Sequence, residues 1–349
     1  MELINTQEHV YENVSNLIES SKFKFDYKIV DETYLDIIVD FINQNFSNRN
    51  KEFSMIFSHE LIKYYLIDSL PILFYSKGKP DKIVALIIGK DINLMSFDKN
   101  IETLEGNFMC IIPPLRNLHL PRIIIAHLVR EGIKRNSVGY YTTSYKINNE
   151  PMCIKNFKQR PINYNELVKL DILDDTNKLF KKLCSRFVYP DNFKNYKISE
   201  EINNNQIDNI VNKINLYQKE RFNIYELVSS NIIINVLNSN SIVKFIINSN
   251  INNDIVAFIS FYRLDILNKT LNKPIRILNL YYHYCEGNIN DYLEYIGEYM
   301  KNNNMCDMFR TTLNINSSRY YESGGELLYH LWNVKPFTID ETKVNLIII

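Results

Sequence analysis

The apolar residues of this chain pass through the same order of elements twice, and no other feature restricts the fold as tightly. In the first pass, Leu35, Ile38, Val39, Phe41 and Ile42 share one helical face between Tyr34 and Asn45, and a second helical stretch runs from His59 to Ile67. Extended segments follow at Leu73–Tyr75, Lys82–Ile88 and Leu94–Phe97, the first two separated by a Gly78-Lys79-Pro80-Asp81 turn. Leu104–Ile112 reads as a longer buried strand. After Pro113-Pro114 the residues Ile123, Ile124, Leu128, Val129 and Ile133 repeat at helical spacing, and a strand at Val138–Thr143 closes the unit. The second pass begins with a helix carrying Ile207, Ile210, Val211 and Ile214. Strands follow at Ile242–Ile247, Ile255–Tyr262 and Ile277–Tyr284, then a helix at Ile289–Met300 and a strand at Met308–Leu313. A short helix at Asn316–Tyr321, a Ser323-Gly324-Gly325 turn, a strand at Leu327–Val334 and an apolar C-terminal strand from Val344 complete it. A duplicated mixed α+β unit is the simplest reading. It has an N-terminal half at 1–165, a linker at 166–195 broken by Pro190-Asp191-Asn192, and a C-terminal half at 196–349.

Composition removes several function classes. Lys+Arg and Asp+Glu are 40 each, so the chain lacks the basic surface that phosphate contacts require, and no nucleic-acid partner is expected. The five cysteines show no Cys-x-x-Cys spacing, which fits a reducing compartment and a cytoplasmic location. They and the six scattered histidines give no metal-site pattern. No apolar run reaches the roughly 18–20 residues needed to cross a bilayer, so no stable membrane insertion is expected. The abundance of Asn reads as a nucleotide-composition bias, so Asn by itself marks neither turns nor chemistry here.

The element order is that of the Gcn5-related acetyltransferase (GNAT) fold, seen twice. Short motifs narrow it further. Asn107-Phe108-Met109-Cys110-Ile111, running into Leu115-Arg116-Asn117-Leu118-His119-Leu120, is similar to the Asn-Phe-Leu-Cys-Val strand and Leu-Arg-Ser-Lys-Arg-Leu loop of the glycylpeptide N-tetradecanoyltransferase (N-myristoyltransferase) family. Tyr141-Thr142-Thr143-Ser144 resembles that family's Tyr-Thr-Ala-Gly. Phe258-Ile259-Ser260-Phe261-Tyr262-Arg263-Leu264 resembles its Phe-Leu-Ser-Phe-Tyr-x-Leu, and Gly325-Glu326-Leu327-Leu328-Tyr329 its Gly-Asn-Leu-x-Tyr. Asn5-Thr6-Gln7 echoes an N-terminal motif. The matches are colinear over nearly the whole chain.

The resemblance implies two tandem GNAT-like halves forming one N-myristoyltransferase fold. It implies an acyltransferase that moves a myristoyl group from myristoyl-CoA, a co-substrate and not a resident cofactor, to the N-terminal glycine of a protein or peptide. The enzyme is expected to be a monomer. Transfer passes through a tetrahedral oxyanion, which calls for two N–H donors; the family uses the backbone amides matching Phe108 and Met109. Asn107 and Thr142 match positions beside the reacting amine, and the base is the chain's own terminal carboxylate, here that of Ile349. Acyl-CoA contacts are implied for Cys110, Ile111, Arg116, Asn117, Leu118, His119, Leu120, Pro121, Thr6 and Gln7. Peptide contacts are implied for Phe46, Phe53, Ser260 and Tyr329.

Elementary chemistry supports parts of this and leaves alternatives. A strand ending in Pro-x-x-Arg before a helix presents free N–H groups and a favourable dipole to a pyrophosphate; Arg116 would serve there or would simply solvate the loop. An apolar C-terminus draws its carboxylate inward, where an ammonium is a natural partner; the other reading is an ordinary terminal strand. The sequence also departs from the family. Leu118 and His119 replace two cations, Pro121 replaces a small residue, and the acidic Tyr-x-Glu-Asp-Asp-Asp stretch becomes Phe46-Ser47-Asn48-Arg49-Asn50-Lys51-Glu52. Those departures predict a changed peptide preference. They also keep two rivals in view: a non-catalytic acyl-CoA or peptide-binding relative, and an acetyltransferase for a small amine.

Overall fold

A computed structural model describes residues 2–46, 52–118, 120–136, 138–147, 149–176, 178–199, 204–313 and 322–346. Its helices are α1 (Gln7–Ser20), α2 (Leu35–Asn45), α3 (His59–Leu66), α4 (Leu120–Gly132), α5 (Tyr164–Lys169), α6 (Lys178–Cys184), α7 (Ile207–Arg221), α8 (Ser230–Asn238) and α9 (Ile289–Asn302). The strands of the first part are β1 (Phe25–Ile29), β2 (Phe53–Ile56), β3 (Ser69–Ser76), β4 (Lys79–Ser96), β5 (Lys99–Ile111), β6 (Val138–Thr143) and β7 (Cys153–Pro161). Those of the second are β8 (Tyr196–Ser199), β9 (Ile224–Glu226), β10 (Ile242–Ser249), β11 (Ile255–Arg263), β12 (Asp265–Asn268), β13 (Lys273–Ile275), β14 (Ile277–Cys285), β15 (Met308–Thr311), β16 (Glu322–Trp332) and β17 (Val344–Asn345).

A fourteen-stranded sheet follows the order β1-β3-β4-β5-β6-β16-β7-β15-β14-β11-β10-β8, with β9 attached to β4 and β17 to β9. Strand β16 from the C-terminal segment lies between β6 and β7, and pairs antiparallel with both. The strands β13-β12-β2 form a small separate sheet.

Alternation along β3 and β4 explains the layers. Ile72, Phe74, Val84, Ala85 and Ile87 face a core shared with Leu120, Ile124 and Leu128 of α4. Leu73, Leu86 and Ile88 point the other way, into a core shared with α2 and α3. Successive strand residues face opposite sides, so a run apolar on both faces is a strand covered on both. Gly89 permits the close approach of α4: a Cβ there would stand 2.6 Å from Leu128 Cδ1.

Several expectations needed revision. The predicted strands Lys82–Ile88 and Leu94–Phe97 are one long strand, β4, because Gly89 and Lys90 continue the ladder opposite Gly106 and Glu105. The Ser323-Gly324-Gly325 turn is instead an irregularity inside β16, where the register against β7 shifts between Ser323 and Glu326 and Gly325 takes φ +102°. The expected short helix at Asn316–Tyr321 lies outside the described residues. Helix α1 has only a faint apolar pattern in the sequence, because among its residues only Val10 is buried. The segment 166–195 carries α6 and most of α5.

Candidate functional site

The site is built on β5. Opposite β4, Ile88 pairs with Asn107 and Leu86 with Cys110, so Ile87 alone faces both Phe108 and Met109: a β-bulge. Phe108 has φ +49°, a left-handed conformation that costs a non-glycine residue about 1–2 kcal/mol. Its side chain offsets that cost by packing edge-on against Phe57 at 5.6 Å and Tyr65 at 4.8 Å. Asn107 Oδ1 accepts the Phe108 N–H at 2.8 Å.

Beside the bulge the sheet opens. Strands β5 and β6 are parallel and pair only from Thr103–Val138 to Glu105–Tyr140. Beyond Glu105 they no longer pair, which leaves the bulge outside the β5–β6 ladder. On β6, Thr142 pairs with Tyr329 of β16. The Tyr329 hydroxyl donates to the Leu346 carbonyl at 3.3 Å, and Tyr140 stacks on Tyr329 at 6.1 Å. A small cavity, partly open to solvent, is lined by Tyr262, Asn279, His283, Arg310, Tyr329 and Leu346 among others. Tyr329, Asn345 and Leu346 line that cavity, whereas Asn107, Phe108 and Thr142 are not among its lining residues. Val344 and Leu346 are buried, as an apolar C-terminus requires, and Val344 is further held by the Lys155 ammonium on its carbonyl. Ile349 lies outside the described residues.

After the bulge, Cys110 and Ile111 are buried, and burial pushes the Cys110 thiol up to about 12, so it is no thiolate nucleophile. The chain then turns through Pro113–Leu115 into α4. The Arg116 guanidinium donates through Nε to the Ile111 carbonyl at 2.9 Å and through Nη2 to the Asn45 carbonyl, tying the loop to the end of α2. Asn117 and Leu118 are exposed, Leu120 is buried, and Pro121 sits in the first turn of α4, where its missing N–H is tolerated. His119 lies outside the described residues. The exposed Arg122, one position further on, is a cation at this helix start that the motif comparison did not single out. Thr6 caps α1 by accepting the His9 N–H, and Gln7 is exposed. Helix α1 packs on α4 through Val10 against Val129 and Ile133.

The expected peptide residues are scattered. Phe46 contacts Phe57 edge-on at 5.2 Å and so connects to Phe108. Ser260 is fully buried and donates to the Tyr282 carbonyl at 2.8 Å. Phe53 belongs to the small sheet and packs with a separate cluster around Leu167 and Leu170.

The interior behind the bulge holds charges that no motif announced. Glu105 is buried opposite Lys90, with Oε1 lacking a hydrogen-bond partner. Burial pushes its carboxyl up to about 8; Lys90 works against that shift and Glu226 adds to it. Burial also raises Glu226, again opposed by Lys90. The Lys90 ammonium lies 5.3 Å from the Tyr64 ring centre and 5.2 Å from that of Tyr65. Burial therefore favours the neutral acid at Glu105, three residues before Phe108.

A family model for the Myristoyl-CoA:protein N-myristoyltransferase N-terminal domain matches residues 1–153. A crystal structure of Saccharomyces cerevisiae N-myristoyltransferase with bound myristoyl-CoA superposes with a TM-score of 0.78, covering 99% of this chain and 89% of that one at 18% identity. This chain is thus similar to N-myristoyltransferases, by family model over its first 153 residues and by fold along nearly its whole length. The glycylpeptide N-tetradecanoyltransferase of Candida glabrata is 23% identical over 277 residues, 72% of this chain and 59% of its own length. That of Candida albicans is 25% identical over 213 residues, 58% of this chain and 47% of its own length. The aligned region thus spans about half the length of these N-myristoyltransferases. The mixed α+β, GNAT-like architecture expected from the element order is the architecture of the yeast enzyme.

Proposed function

We propose that this chain is a glycylpeptide N-tetradecanoyltransferase, moving a myristoyl group from myristoyl-CoA to the α-amine of an N-terminal glycine. The observation that carries the reading is the bulge at Phe108–Met109 on the open edge of β5, immediately ahead of the loop into α4. The thioester carbonyl oxygen approaches the Phe108 and Met109 amides and displaces Asn107 Oδ1 from the Phe108 N–H. The glycine nitrogen, held between Asn107 and Thr142, forms the new C–N bond. The C–S bond breaks, the attacking nitrogen gives its second proton to the departing sulfur, and CoA leaves as the thiol. Before attack the ammonium loses a proton to the Ile349 carboxylate. At the start of α4, unpaired backbone amides and Arg122 face the pyrophosphate. The molecule acts in the cytoplasm as a monomer, and its two GNAT-like halves divide the work as 1–165 for acyl-CoA and 196–349 for peptide. Among the described residues, no helix is long and apolar enough to cross a membrane.

The test supplies myristoyl-CoA with glycine-initiated peptides and follows CoA release. Turnover with myristoyl-CoA well above that with acetyl-CoA is expected, and adding one glycine after Ile349 should lower kcat at least tenfold. An unchanged rate in the extended protein would remove the terminal carboxylate from the mechanism; no turnover with any peptide would sink the enzyme reading. A second reading, an acyl-CoA-binding relative without transfer, is favoured by Arg116 being held on carbonyls and by the apolar Leu118 at the phosphate loop. Calorimetry showing acyl-CoA binding in the absence of turnover would select it.

A further inference from the structure

The cavity beside Tyr329 contains an arginine, Arg310, with no carboxylate partner among the described residues. Other arginines of this part of the chain hold a carboxylate: Arg160 on Glu294, Arg263 on Asp265 and Arg276 on Asp307. Arg310 forms no such pair among the described residues. Its Nε donates to the neutral Gln159 Oε1 at 3.0 Å, and no carboxylate is among the described residues lining the cavity. Asn279, its register partner on β14, is buried with Nδ2 unsatisfied. His283, also in the cavity lining, is buried too; its Nδ1 engages the Tyr281 carbonyl at 3.0 Å and its Nε2 has no partner among the described residues. Burial keeps that imidazole neutral, pushed down to about 4, so with Nδ1 donating, Nε2 is an acceptor.

Unmatched donors, a cation and an acceptor on one cavity wall describe the complement of a ligand. A carboxylate satisfies Arg310 and Asn279 together, and a peptide N–H satisfies His283. We propose that this cavity is a subsite for an acidic side chain, in which Arg310 and Asn279 receive the carboxylate of an Asp or Glu following the substrate's N-terminal glycine. The proposal rests on the glycylpeptide reading above and names its substrate class. It gives a positive content to the loss of the acidic stretch at 46–52: the chain repels what that stretch would attract and attracts the opposite charge.

The test is a set of glycine-initiated peptides carrying Asp, Asn or Lys in turn at each of the next seven positions, with kcat/KM measured for each. At one position Asp should exceed Asn at least tenfold, as expected for a charge-assisted bond in a desolvated site, and Lys should be weakest. Arg310→Gln should bring Asp and Asn to equality there, and Arg310→Glu should shift the preference to Lys. Equal rates for Asp and Asn at every position in the unmodified protein would overturn the subsite, whatever the variants do. So would an Asp preference that survives Arg310→Gln in a protein whose thermal melt is intact. If no peptide is acylated, binding of the same peptides, labelled with a fluorophore, separates the two ideas. Asp bound at least tenfold tighter than Asn keeps the subsite while the transfer reading fails, and equal binding removes the subsite as well.

Discussion

Replacing Glu105 by Gln should flatten part of the pH dependence of stability, and the structure sets the size of the effect. Glu105 is 4% exposed, and its carboxyl moves from an ordinary value of 4.5 to about 8 in the folded protein. The folded chain therefore binds one more proton than the unfolded chain between those values. Below pH 4.5 both states are protonated and nothing is lost. As pH rises towards 8, ionisation is increasingly free in the unfolded chain and resisted in the folded one, so stability falls. At about 1.4 kcal/mol for each pH unit, the 3.5-unit shift corresponds to a loss of up to about 5 kcal/mol. Glutamine keeps the shape and cannot ionise. The difference in unfolding free energy, variant minus wild type, should thus be near zero at pH 4.5 and grow by several kcal/mol by pH 8. Other buried groups titrate in both proteins: His127 and His283, each pushed down to about 4, lose stability as pH falls from 6.5 towards 4, the opposite sense. Taking the difference cancels them to first order. Urea unfolding at half-unit pH steps, followed by far-ultraviolet circular dichroism and by the single tryptophan, Trp332, supplies the measurement. Parallel stability curves for the two proteins would refute the reasoning, because they would mean that Glu105 is ionised in the fold at neutral pH.

Two further changes probe packing and the phosphate loop. Arg160 is fully buried and holds Glu294 through Nε and Nη2 at 3.0 Å each, besides the carbonyls of Cys184 and Arg186. Arg160→Met should therefore cost about 3–5 kcal/mol in denaturant unfolding, while Arg160→Met with Glu294→Met should regain most of it. A single-variant loss under 1 kcal/mol would contradict the pairing, since that is the range of exposed ion pairs. In the loop before α4, Leu118→Lys places a cation beside the helix start and, if the proposed acyl-CoA site is there, should tighten acyl-CoA binding several-fold at low salt. Calorimetry at two ionic strengths checks this, the gain shrinking at the higher one.

How far the sequence reaches can be seen along β5. Its apolar run and the Pro113-Pro114 boundary place a buried strand ahead of a helix. The motif around Asn107 and Phe108 marks the position where the structure has its bulge. Tyr329 and Thr142 were both legible as motif residues, and the sheet makes them partners. Ser260 and Phe53 were equally legible, yet one is spent on a carbonyl inside the sheet and the other packs in a different layer. A motif reports that a residue type recurs, not which way its side chain points.

What the sequence determined by itself is local: strands of period two, helices of period 3.6, the proline stop and a chain end apolar enough to tuck inward. These depend on neighbours a few residues apart, so a one-dimensional pattern contains them. What only the tertiary structure decided is who meets whom. Glu105 faces Lys90 through the register of β4 on β5 and feels Glu226 from a strand more than a hundred residues away. Arg310 is without a carboxylate partner among the described residues because the β15 register sets it beside Gln159 and Asn279. Ion pairing and desolvation act through space over a few ångströms, and along the chain those partners are separated by up to about 150 residues; the fold alone sets the distances on which the chemistry of this site depends.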